Sequence, residues 1–377
     1  MTLYDEIMSE LKNREVYKCE TYAPFYMSSF ALHNFNLMNQ KRKIYWSGKM
    51  LPNSRLHIMF CAPAGYMKSY FLKQMAGEEY SIFKGAGTRI GYEQEMTAAA
   101  FTGTTATNNG VKTRYVGAAE EYKDGIMLID EFKGLTDALS TQGNGQMESQ
   151  LLSALDSGQI IKRLSNERIE FKTHLTLWTG IQPAVLNISS GLGRRLCYML
   201  FIPSRKDNEI LLDLGQKAYG MKPDIQQAKR LWLKQQTFCN DLNKIERVVY
   251  DPEILKEYKK AKIYSYESTF FNNLILGMNL IKSDEIGKEV YVELKDPDVR
   301  RVFDLEKEWR KKINQGVTFI QMMSILHGLG GSADITEVYD ECTMLGLNIP
   351  QVTELITDMI RYGLVQKRGN RVEVFKR

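Results

Sequence analysis

Four short apolar runs in the first 205 residues predict strands that are buried on both faces. Each run is four to six residues long, which is too short for a buried helix. Helical patterns lie between the runs, and strands that alternate with helices favour a parallel sheet with helices on both faces. The sequence therefore predicts an α/β fold, with strands at 56–61, 126–129, 175–179 and 197–202.

Two further segments have patterns that predict β-hairpins. In the first, two strand patterns flank an Asn-Asn-Gly turn at 108–110, which is a strong hairpin signal. The second, residues 160–172, turns at a Ser-Asn pair. We therefore expect two antiparallel hairpins between the strands of the sheet.

The rest of the chain is predicted to be mostly helical. Residues 25–39 form a helix pattern rich in Phe, Met and Leu, whereas the basic, Gly- and Pro-broken stretch 42–54 indicates a loop. The last sixty residues combine three helix patterns with two short strands, an order that predicts a winged helix. We expect four segments: an N-terminal helical segment at 1–50, the α/β core at 51–205, a helical lid or linker at 206–315 and the winged helix at 316–377.

Composition excludes several classes of protein. The 377 residues are 44% hydrophobic and 25% charged. This composition is typical of a globular protein with a hydrophobic core and argues against a disordered chain. Five scattered cysteines without a CxxC pair and four scattered histidines argue against a disulfide framework and against zinc. We find no signal-peptide pattern and no apolar stretch near 18 residues, so we expect an intracellular, cytoplasmic or nucleoid-associated protein. The net charge of +5 alone does not indicate nucleic acid.

The segment after the first predicted strand has the order that a phosphate-binding loop requires. A small-residue loop leads into Lys68-Ser69 and a helix pattern. Such a loop points backbone N–H groups at phosphate oxygens, and Lys68 would reach the β- and γ-phosphates while Ser69 would bind Mg²⁺. Met67 stands where the usual pattern has Gly, and the alternative is an ordinary strand–helix turn with a surface lysine. The predicted nucleotide-binding residues are Ala62, Pro63, Ala64, Gly65, Tyr66, Met67, Lys68, Ser69 and Tyr70.

A second motif supports the phosphate loop. The apolar strand at 126–129 ends in Asp130-Glu131, which is the Walker B pattern. Asp130 would hold Mg²⁺ together with Ser69, and Glu131 would orient and polarise the attacking water. Acidic pairs after strands also occur as helix N-caps, but this pair follows the loop by about 60 residues in the expected order. Together the motifs predict an ATPase that uses ATP and Mg²⁺.

At these motifs the chain resembles the AAA+ ATPases and, within them, the minichromosome maintenance (MCM) helicases. The loop is similar to the family's GDPGxxKS form, which also lacks Gly before Lys, and matches it at Gly65, Lys68 and Ser69. It departs at Ala62, and its proline falls one place early. The resemblance covers roughly 50–205 and implies an AAA+ core with helix-2-insert and pre-sensor-1 hairpins. The other similar segments are 96–100, 129–132, 147–164 and 192–196.

Two further roles are implied by this resemblance. Gln182-Pro183 lies where the family has the Asn-Pro of sensor 1, so Gln182 is the predicted sensor, with Thr179 as the alternative. Arg195 aligns with the arginine finger that reaches the γ-phosphate of a neighbouring subunit, with Arg194 as the alternative. The pair could also be a cation at a helix C-terminus. Because a finger completes the site of another copy, we expect a homo-oligomer, a hexameric ring in this family.

The sequence also departs from the family. The region that matches the sensor-2 arginine, residues 268–274, contains no arginine. The family's large N-terminal DNA-binding tier has no counterpart in the first fifty residues. We therefore expect an ATPase core and a winged helix alone, a reduced form that suits a plasmid, a virus or an integrated element.

Basic side chains on the hairpins and the wing are the predicted DNA contacts. Hairpins in the pore of a ring ATPase grip phosphates without reading sequence, and Tyr115 could stack on a base. The last fourteen residues carry a net charge of +4, which suits duplex DNA, although winged helices also bind proteins. Solvated strand faces are the alternative for the hairpins. The predicted contacts are Lys112, Arg114, Lys162, Arg163, Arg168, Lys367, Arg368 and Arg371.

Three functions fit these motifs. The first is an ATP-driven DNA helicase or translocase that acts as a ring in DNA replication. The second is a replication initiator or helicase loader, which shares every ATPase motif. The third is a transcriptional activator that remodels a polymerase, because residues 100–103 resemble part of the GAFTGA loop of activators for the alternative bacterial sigma factor. The form of the phosphate loop and the Ile-Asp-Glu-Phe context favour the helicase family.

Overall fold

Helices and strands alternate along the computed structural model as the hydrophobic pattern predicts. The structure describes residues 1–42, 44–46, 49–50, 54–63, 65–108, 111–132, 145–164, 167–182, 193, 195–218, 224–314, 317–344, 347–361 and 364–374. Its strands are β1 (Tyr45–Trp46), β2 (Lys49–Met50), β3 (His57–Cys61), β4 (Ile90–Glu95), β5 (Thr104–Asn108), β6 (Val111–Tyr115), β7 (Ile126–Glu131), β8 (Gln159–Leu164), β9 (Glu167–Lys172), β10 (Thr176–Ile181), β11 (Leu196–Leu200), β12 (Arg247–Tyr250), β13 (Glu289–Val292), β14 (Ser332–Asp334), β15 (Val365–Arg368) and β16 (Arg371–Val374). Its helices are α1 (Leu3–Asn13), α2 (Cys19–Arg42), α3 (Lys68–Leu72), α4 (Ala98–Thr102), α5 (Ala118–Glu121), α6 (Gly145–Leu155), α7 (Arg205–Ala218), α8 (Ile225–Asp241), α9 (Glu253–Ala261), α10 (Ser265–Ile281), α11 (Pro297–Asn314), α12 (Val317–Gly328), α13 (Ile335–Met344) and α14 (Ile349–Arg361).

The central sheet has five parallel strands in the order β11-β3-β10-β7-β4. Strands β3, β10 and β11 are buried throughout, and β7 is buried until its last two residues, Asp130 and Glu131. Parallel strands covered on both faces need continuous apolar runs, which is why four of the five were visible in the sequence. The predicted α/β class with a parallel sheet flanked by helices is confirmed.

The edge strand β4 was not predicted from the sequence. It reads Ile-Gly-Tyr-Glu-Gln-Glu and pairs only with β7 within this sheet. An edge strand is partly solvated, so it lacks the apolar run that marks its neighbours. Its place beside β7 brings Tyr92 to the same edge of the sheet as the acidic pair.

Helix α2 lies inside the core and not beside it. It is buried along most of its length, and two of its serines form hydrogen bonds in the interior. Ser29 Oγ accepts from the indole Nε1 of Trp178 on β10 at 2.8 Å, and Ser28 Oγ donates to the carbonyl of Leu274 on α10 at 3.0 Å. The N-terminal helices therefore share one hydrophobic core with the sheet and with the helices that follow it. The predicted loop at 42–54 includes the short antiparallel pair β1–β2.

Both predicted hairpins are confirmed. Strands β5 and β6 pair antiparallel, as do β8 and β9, and neither pair joins the central sheet. The chain reaches the first hairpin through α4, which buries Phe101 and Thr102. The turn residues 109–110 and 165–166 lie outside the described residues.

The region between the sheet and the last sixty residues is mostly helical, as predicted, but it also contains the parallel pair β12–β13. These strands have only four residues each, and β13 alternates between exposed and buried positions. Strands so short leave a weak periodic signal in a charge-rich sequence. Helices α9 and α10 form the crossover between them.

The C-terminal segment consists of α12, α13 and α14 with a small antiparallel sheet in the order β14-β16-β15. The three predicted helices and two predicted strands are confirmed. The third strand, β14, was missed because it has only three residues. This segment has its own hydrophobic core. Tyr66 packs against both this core and the main one.

A search of the described helices for one long and apolar enough to cross a lipid bilayer finds none.

Candidate nucleotide site

The residues predicted to bind and hydrolyse nucleotide lie at one edge of the sheet. Lys68 and Ser69 begin α3 just after β3, Asp130 and Glu131 end β7, and Gln182 follows β10. Strand β10 lies between β3 and β7, so the carboxyl ends of all three strands point to the same crevice. In open parallel sheets this crevice is the usual ligand site.

Asp130 joins the two predicted motifs through direct hydrogen bonds. The hydroxyl of Ser69 donates to Asp130 Oδ1 at 2.6 Å. The phenol of Tyr92 donates to Asp130 Oδ2 at 3.1 Å. Burial and this carboxylate raise the pKa of Tyr92 to about 12, so its proton stays in place at neutral pH. Sequence patterns missed Tyr92, because its role arises only when β4 pairs with β7.

Lys68 is buried under its own loop. Its ammonium donates to the carbonyls of Ala62 and Pro63, both at 2.9 Å, and its residue is only 6% exposed. Burial lowers the pKa of Lys68, while the nearby Glu131 carboxylate acts in the opposite direction. To contact a phosphate, the ammonium would exchange these carbonyls for phosphate oxygens. The loop therefore holds the lysine close to the acidic pair.

The backbone at Met67 has a conformation that favours glycine. Its φ is +53° and its ψ is −36°, and Gly65 also has a positive φ of +75°. A bulky residue at positive φ is strained, and such strain is found mostly at functional sites. Met67 thus adopts a positive φ at the position where the usual loop pattern has glycine. Ala64 lies outside the described residues.

Gly180 on β10 lets the two motifs approach each other. A Cβ at this position would lie 2.5 Å from the carbonyl oxygen of Asp130 and 3.3 Å from Lys68 Cδ. The carbonyl of Gly180 also accepts from the N–H of Phe132 at 2.8 Å. Only glycine fits here. A lone Gly within an apolar run gave no signal of this role in the sequence.

The two carboxylate oxygens of Glu131 differ in their hydrogen bonding. Gln182 Nε2 donates to Glu131 Oε2 at 3.2 Å. Glu131 Oε1 is buried without a hydrogen-bond partner among the described residues. A buried carboxylate oxygen needs a donor, and a water molecule beside it would meet that need. Thr179, the alternative to Gln182, is buried in the sheet and donates to the carbonyl of Ile58 at 2.9 Å, so its hydroxyl is already engaged.

Arg195 lies away from this crevice in its own chain. Its guanidinium Nη2 binds Asp156 Oδ2 at 2.7 Å, and the Asp156 side chain is 66% exposed. Arg310 on α11 fixes the backbone on both sides of it, donating to the carbonyls of Gly193 at 2.6 Å and Leu196 at 2.9 Å. The segment is thus anchored, and the Arg195 side chain is only 18% exposed. Arg194 lies outside the described residues.

A groove of about 780 Å³ opens beside the loop. Its walls come from the loop and the start of α3, from α7, and from residues at the two ends of the chain. They include Arg14, Glu15, Tyr17, residues 65–67, Tyr70, Leu211 and Met344. The volume and the mixture of aromatic, apolar and a few polar side chains are typical of a small-molecule site. It could take a heterocyclic base whose phosphates occupy the loop.

The donor set at Asp130 suits a hard divalent cation. A hydroxyl and a carboxylate at hydrogen-bond distance from each other are oxygen ligands of the kind Mg²⁺ prefers, and magnesium at phosphate sites takes only one or two protein ligands. Among the described residues no cluster of three or more His, Cys, Asp or Glu side chains could bind a metal by itself. The site fits a cation that arrives with a phosphate.

The predicted DNA contacts are only partly described. Arg114 pairs with Glu120, and Arg168 pairs with Glu170 at 2.7 Å, so both hairpin guanidinia already have acidic neighbours. Tyr115 is half exposed. In the small C-terminal sheet, the three predicted basic side chains, Lys367, Arg368 and Arg371, are exposed. Arg368 lies 3.7 Å from the Glu373 carboxylate, and Arg371 donates hydrogen bonds to Ser332.

For three other predicted contacts the structure describes only the backbone pairing. Lys112 lies opposite Thr107, and Lys162 and Arg163 lie opposite Ile169 and Arg168.

Comparison with known proteins adds no family assignment. A scan against protein-family models gives no match, and a search of curated proteins finds none with significant similarity.

Proposed function

We propose that this protein is a P-loop ATPase that binds ATP with Mg²⁺ at the loop 62–69 and hydrolyses it. The observation that carries the proposal is the 2.6 Å hydrogen bond between Ser69 and Asp130, with Glu131 and Lys68 beside it. In an ordinary strand–helix turn, nothing would require the Ser69 hydroxyl to contact Asp130. Ser69 follows strand β3 and Asp130 lies at the end of β7, and these strands are two places apart in the sheet. The unmatched oxygen of Glu131 further supports hydrolysis.

Each residue has a role that its position permits. Lys68 would neutralise phosphate charge, and the N–H groups at the start of α3 would point at phosphate oxygens. Ser69 and Asp130 would hold Mg²⁺, which when bound neutralises charge on the phosphates. Glu131 would accept a hydrogen bond from the attacking water and polarise it, and Gln182 would orient Glu131. The groove at Tyr70 and Leu211 would take the base.

We further propose an AAA+ ATPase of the MCM-like helicase type, which moves DNA through a homo-oligomeric ring during the replication of a mobile element or virus. The proposal is supported by two hairpins that stand apart from the sheet and by three C-terminal helices with a small basic sheet that suits a winged helix. A finger at Arg195 would act on a neighbouring copy after leaving Asp156.

The initiator or loader hypothesis shares this site, so the same geometry supports it equally. The activator hypothesis is less well supported. Phe101 and Thr102, which carry the resemblance to the activator loop, are buried at 0% and 1% exposure and are not presented at a hairpin tip.

ATP hydrolysis with and without single-stranded DNA tests the proposal, with Glu131→Gln as the matched control. We expect turnover that DNA stimulates and that the variant loses by a factor of at least about 100. Turnover that ignores DNA would favour a protein-remodelling role. Strand displacement by the purified protein would separate a helicase from a loader. Absence of ATP binding in the wild type would contradict the proposal.

A further inference from the structure

Two tyrosines form an exposed stack at the start of α10. The rings of Tyr264 and Tyr266 lie 5.4 Å apart between centroids with planes only 5° from parallel. They are 64% and 56% exposed, although most aromatic side chains of the described chain are buried. Among the described residues they are the only two exposed rings that stack on each other. Each ring stacks on its partner and stays largely exposed to solvent.

The backbone explains why rings two residues apart can stack. Side chains at i and i+2 of a helix do not face each other. Tyr264 precedes the helix and is extended, with φ −71° and ψ 150°, while Tyr266 lies in its first turn. The Tyr264 N–H donates to the Glu267 carboxylate at 3.1 Å, which fixes this entry geometry. The stack is therefore set by the local fold before any partner binds.

Three lysines precede the stack. Lys259 and Lys260 occupy the last turn of α9, and Lys262 is its left-handed C-cap. All three are exposed, and none forms an ion pair with a carboxylate in the described part of the chain. The acidic residues of α9 are engaged elsewhere: Glu253 binds Lys256, and Glu257 binds Arg300 at 2.7 Å. Neither Glu253 nor Glu257 therefore neutralises the three ammonium groups.

We propose that Tyr264 and Tyr266 with Lys259, Lys260 and Lys262 form a binding site for single-stranded nucleic acid. Exposed rings stack on unpaired bases without regard to sequence, and unpaired lysines contact the phosphates. A protein partner fits less well, because lysine is depleted at the centre of protein interfaces. This site lies outside both predicted hairpins and the C-terminal sheet, and it does not depend on the nucleotide site.

Fluorescence anisotropy of a labelled oligothymidylate, measured on the full chain without nucleotide, tests this site. The double variant Tyr264→Ala/Tyr266→Ala is expected to bind about tenfold or more weakly, because the stacking surface is lost. The variant Tyr264→Phe/Tyr266→Phe keeps both rings and is expected to bind as the wild type does. Tyr291→Ala, which removes an equally exposed tyrosine that stacks on no other described ring, is the matched control and is expected to have no effect.

Salt dependence tests the lysines separately. Replacing Lys259 and Lys260 by Ala is expected to reduce the slope of log affinity against log salt by about 0.7 for each lost phosphate contact. Unchanged affinity in the double alanine variant would overturn the proposal. So would a change in its oligomeric state without nucleic acid, which would assign the tyrosines to a contact between copies. Because nucleotide is absent, loss of oligothymidylate binding would stand even if the protein hydrolysed no ATP.

Discussion

Asp130 is the residue on which the candidate site depends, since hydroxyl groups from two different elements donate to its two oxygens. The neighbouring positions Lys68, Ser69 and Glu131 could be predicted because each belongs to a short motif of consecutive residues. Tyr92 and Gly180 could not, because they reach the site through the pairing of strands that are distant in sequence. Pairwise contacts of this kind leave no periodic signal in one chain.

Tyr92→Phe removes the donor to Asp130 Oδ2 and keeps the ring. Hydrogen bonds to charged groups contribute about 1.5–3 kcal/mol, so a half-buried one should be near the lower end. We expect the concentration of Mg²⁺ needed for half-maximal nucleotide binding to rise about 3- to 10-fold, with little change in binding without the metal. Titration of a fluorescent nucleotide with Mg²⁺ measures both. The same Mg²⁺ requirement in variant and wild type would show that Tyr92 does not position Asp130.

Gly180→Ala places a methyl group against the carbonyl of Asp130. Backbone cannot move aside as a flexible side chain can, and overpacking of this kind costs about 1–3 kcal/mol. We expect the free energy of unfolding in urea to fall by about 2 kcal/mol and nucleotide binding to weaken. Gly287→Ala, at an exposed position outside the helices where the structure leaves open space for the added group, is the control. Equal stability of both variants would contradict the close approach at Gly180.

Elements with one dominant periodicity were predictable, and those shaped by tertiary contacts were not. The buried strands β3, β7, β10 and β11 each carry an apolar run, whereas β4, at the edge, alternates too weakly to be recognised. The short strands β12 and β13 depend on each other for pairing across two helices. Helix α2 was visible as a helix, but its place inside the core follows from contacts with β10 and α10.

Helix α11 contributes a buried ion pair that anchors the segment before β11. Arg310 binds Glu306 Oε1 at 2.7 Å and also donates to the carbonyls of Gly193 and Leu196. Removing one partner leaves an uncompensated buried charge, which costs about 3–5 kcal/mol. We expect Glu306→Leu to lose that much unfolding free energy.

The double variant Glu306→Leu/Arg310→Met tests whether the pair acts as a unit. It leaves no buried charge, so its loss of unfolding free energy should be smaller than the sum of the two single losses. Chemical denaturation of this double variant and of the single variants Glu306→Leu and Arg310→Met completes the cycle. Strictly additive losses would show that the two side chains stabilise the fold independently.

At the scale of the whole molecule, two buried neutral histidines, His33 and His57, make the stability of the core depend on pH. His57 accepts from the N–H of Leu177 at Nδ1 and lies 3.0 Å from the carbonyl of Leu155 at Nε2, so its neutral form is bound on both sides. Burial lowers the pKa of His33 to about 3 and that of His57 well below its usual value. The sequence spacing of the histidines argued only against a zinc site. It could not predict that His33 and His57 are buried, because their burial follows from the tertiary fold.

Acid should therefore destabilise the fold. In the unfolded chain these histidines bind protons near pH 6.5, whereas in the folded chain they stay neutral to much lower pH. Their full contribution to the free energy of unfolding is therefore present above pH 6.5 and is lost as the pH falls toward 3. Each histidine should contribute roughly 1 kcal/mol of loss per pH unit in this window. Urea unfolding between pH 7.5 and pH 5 measures the loss, and His33→Asn should reduce it. His327→Gln, at an exposed position, should leave it unchanged. A flat profile in the wild type would contradict neutral burial.

The central claim is that the loop after β3 and the acidic end of β7 form one site for a nucleotide with Mg²⁺. Equilibrium binding of a fluorescent ATP analogue to the wild type and to Lys68→Ala, each with and without Mg²⁺, tests it most directly. We expect Mg²⁺-dependent binding by the wild type, a loss of about tenfold or more in Lys68→Ala because a charged contact to phosphate disappears, and retained binding in Glu131→Gln. Equal binding by the wild type and Lys68→Ala, or none by the wild type, would contradict the claim.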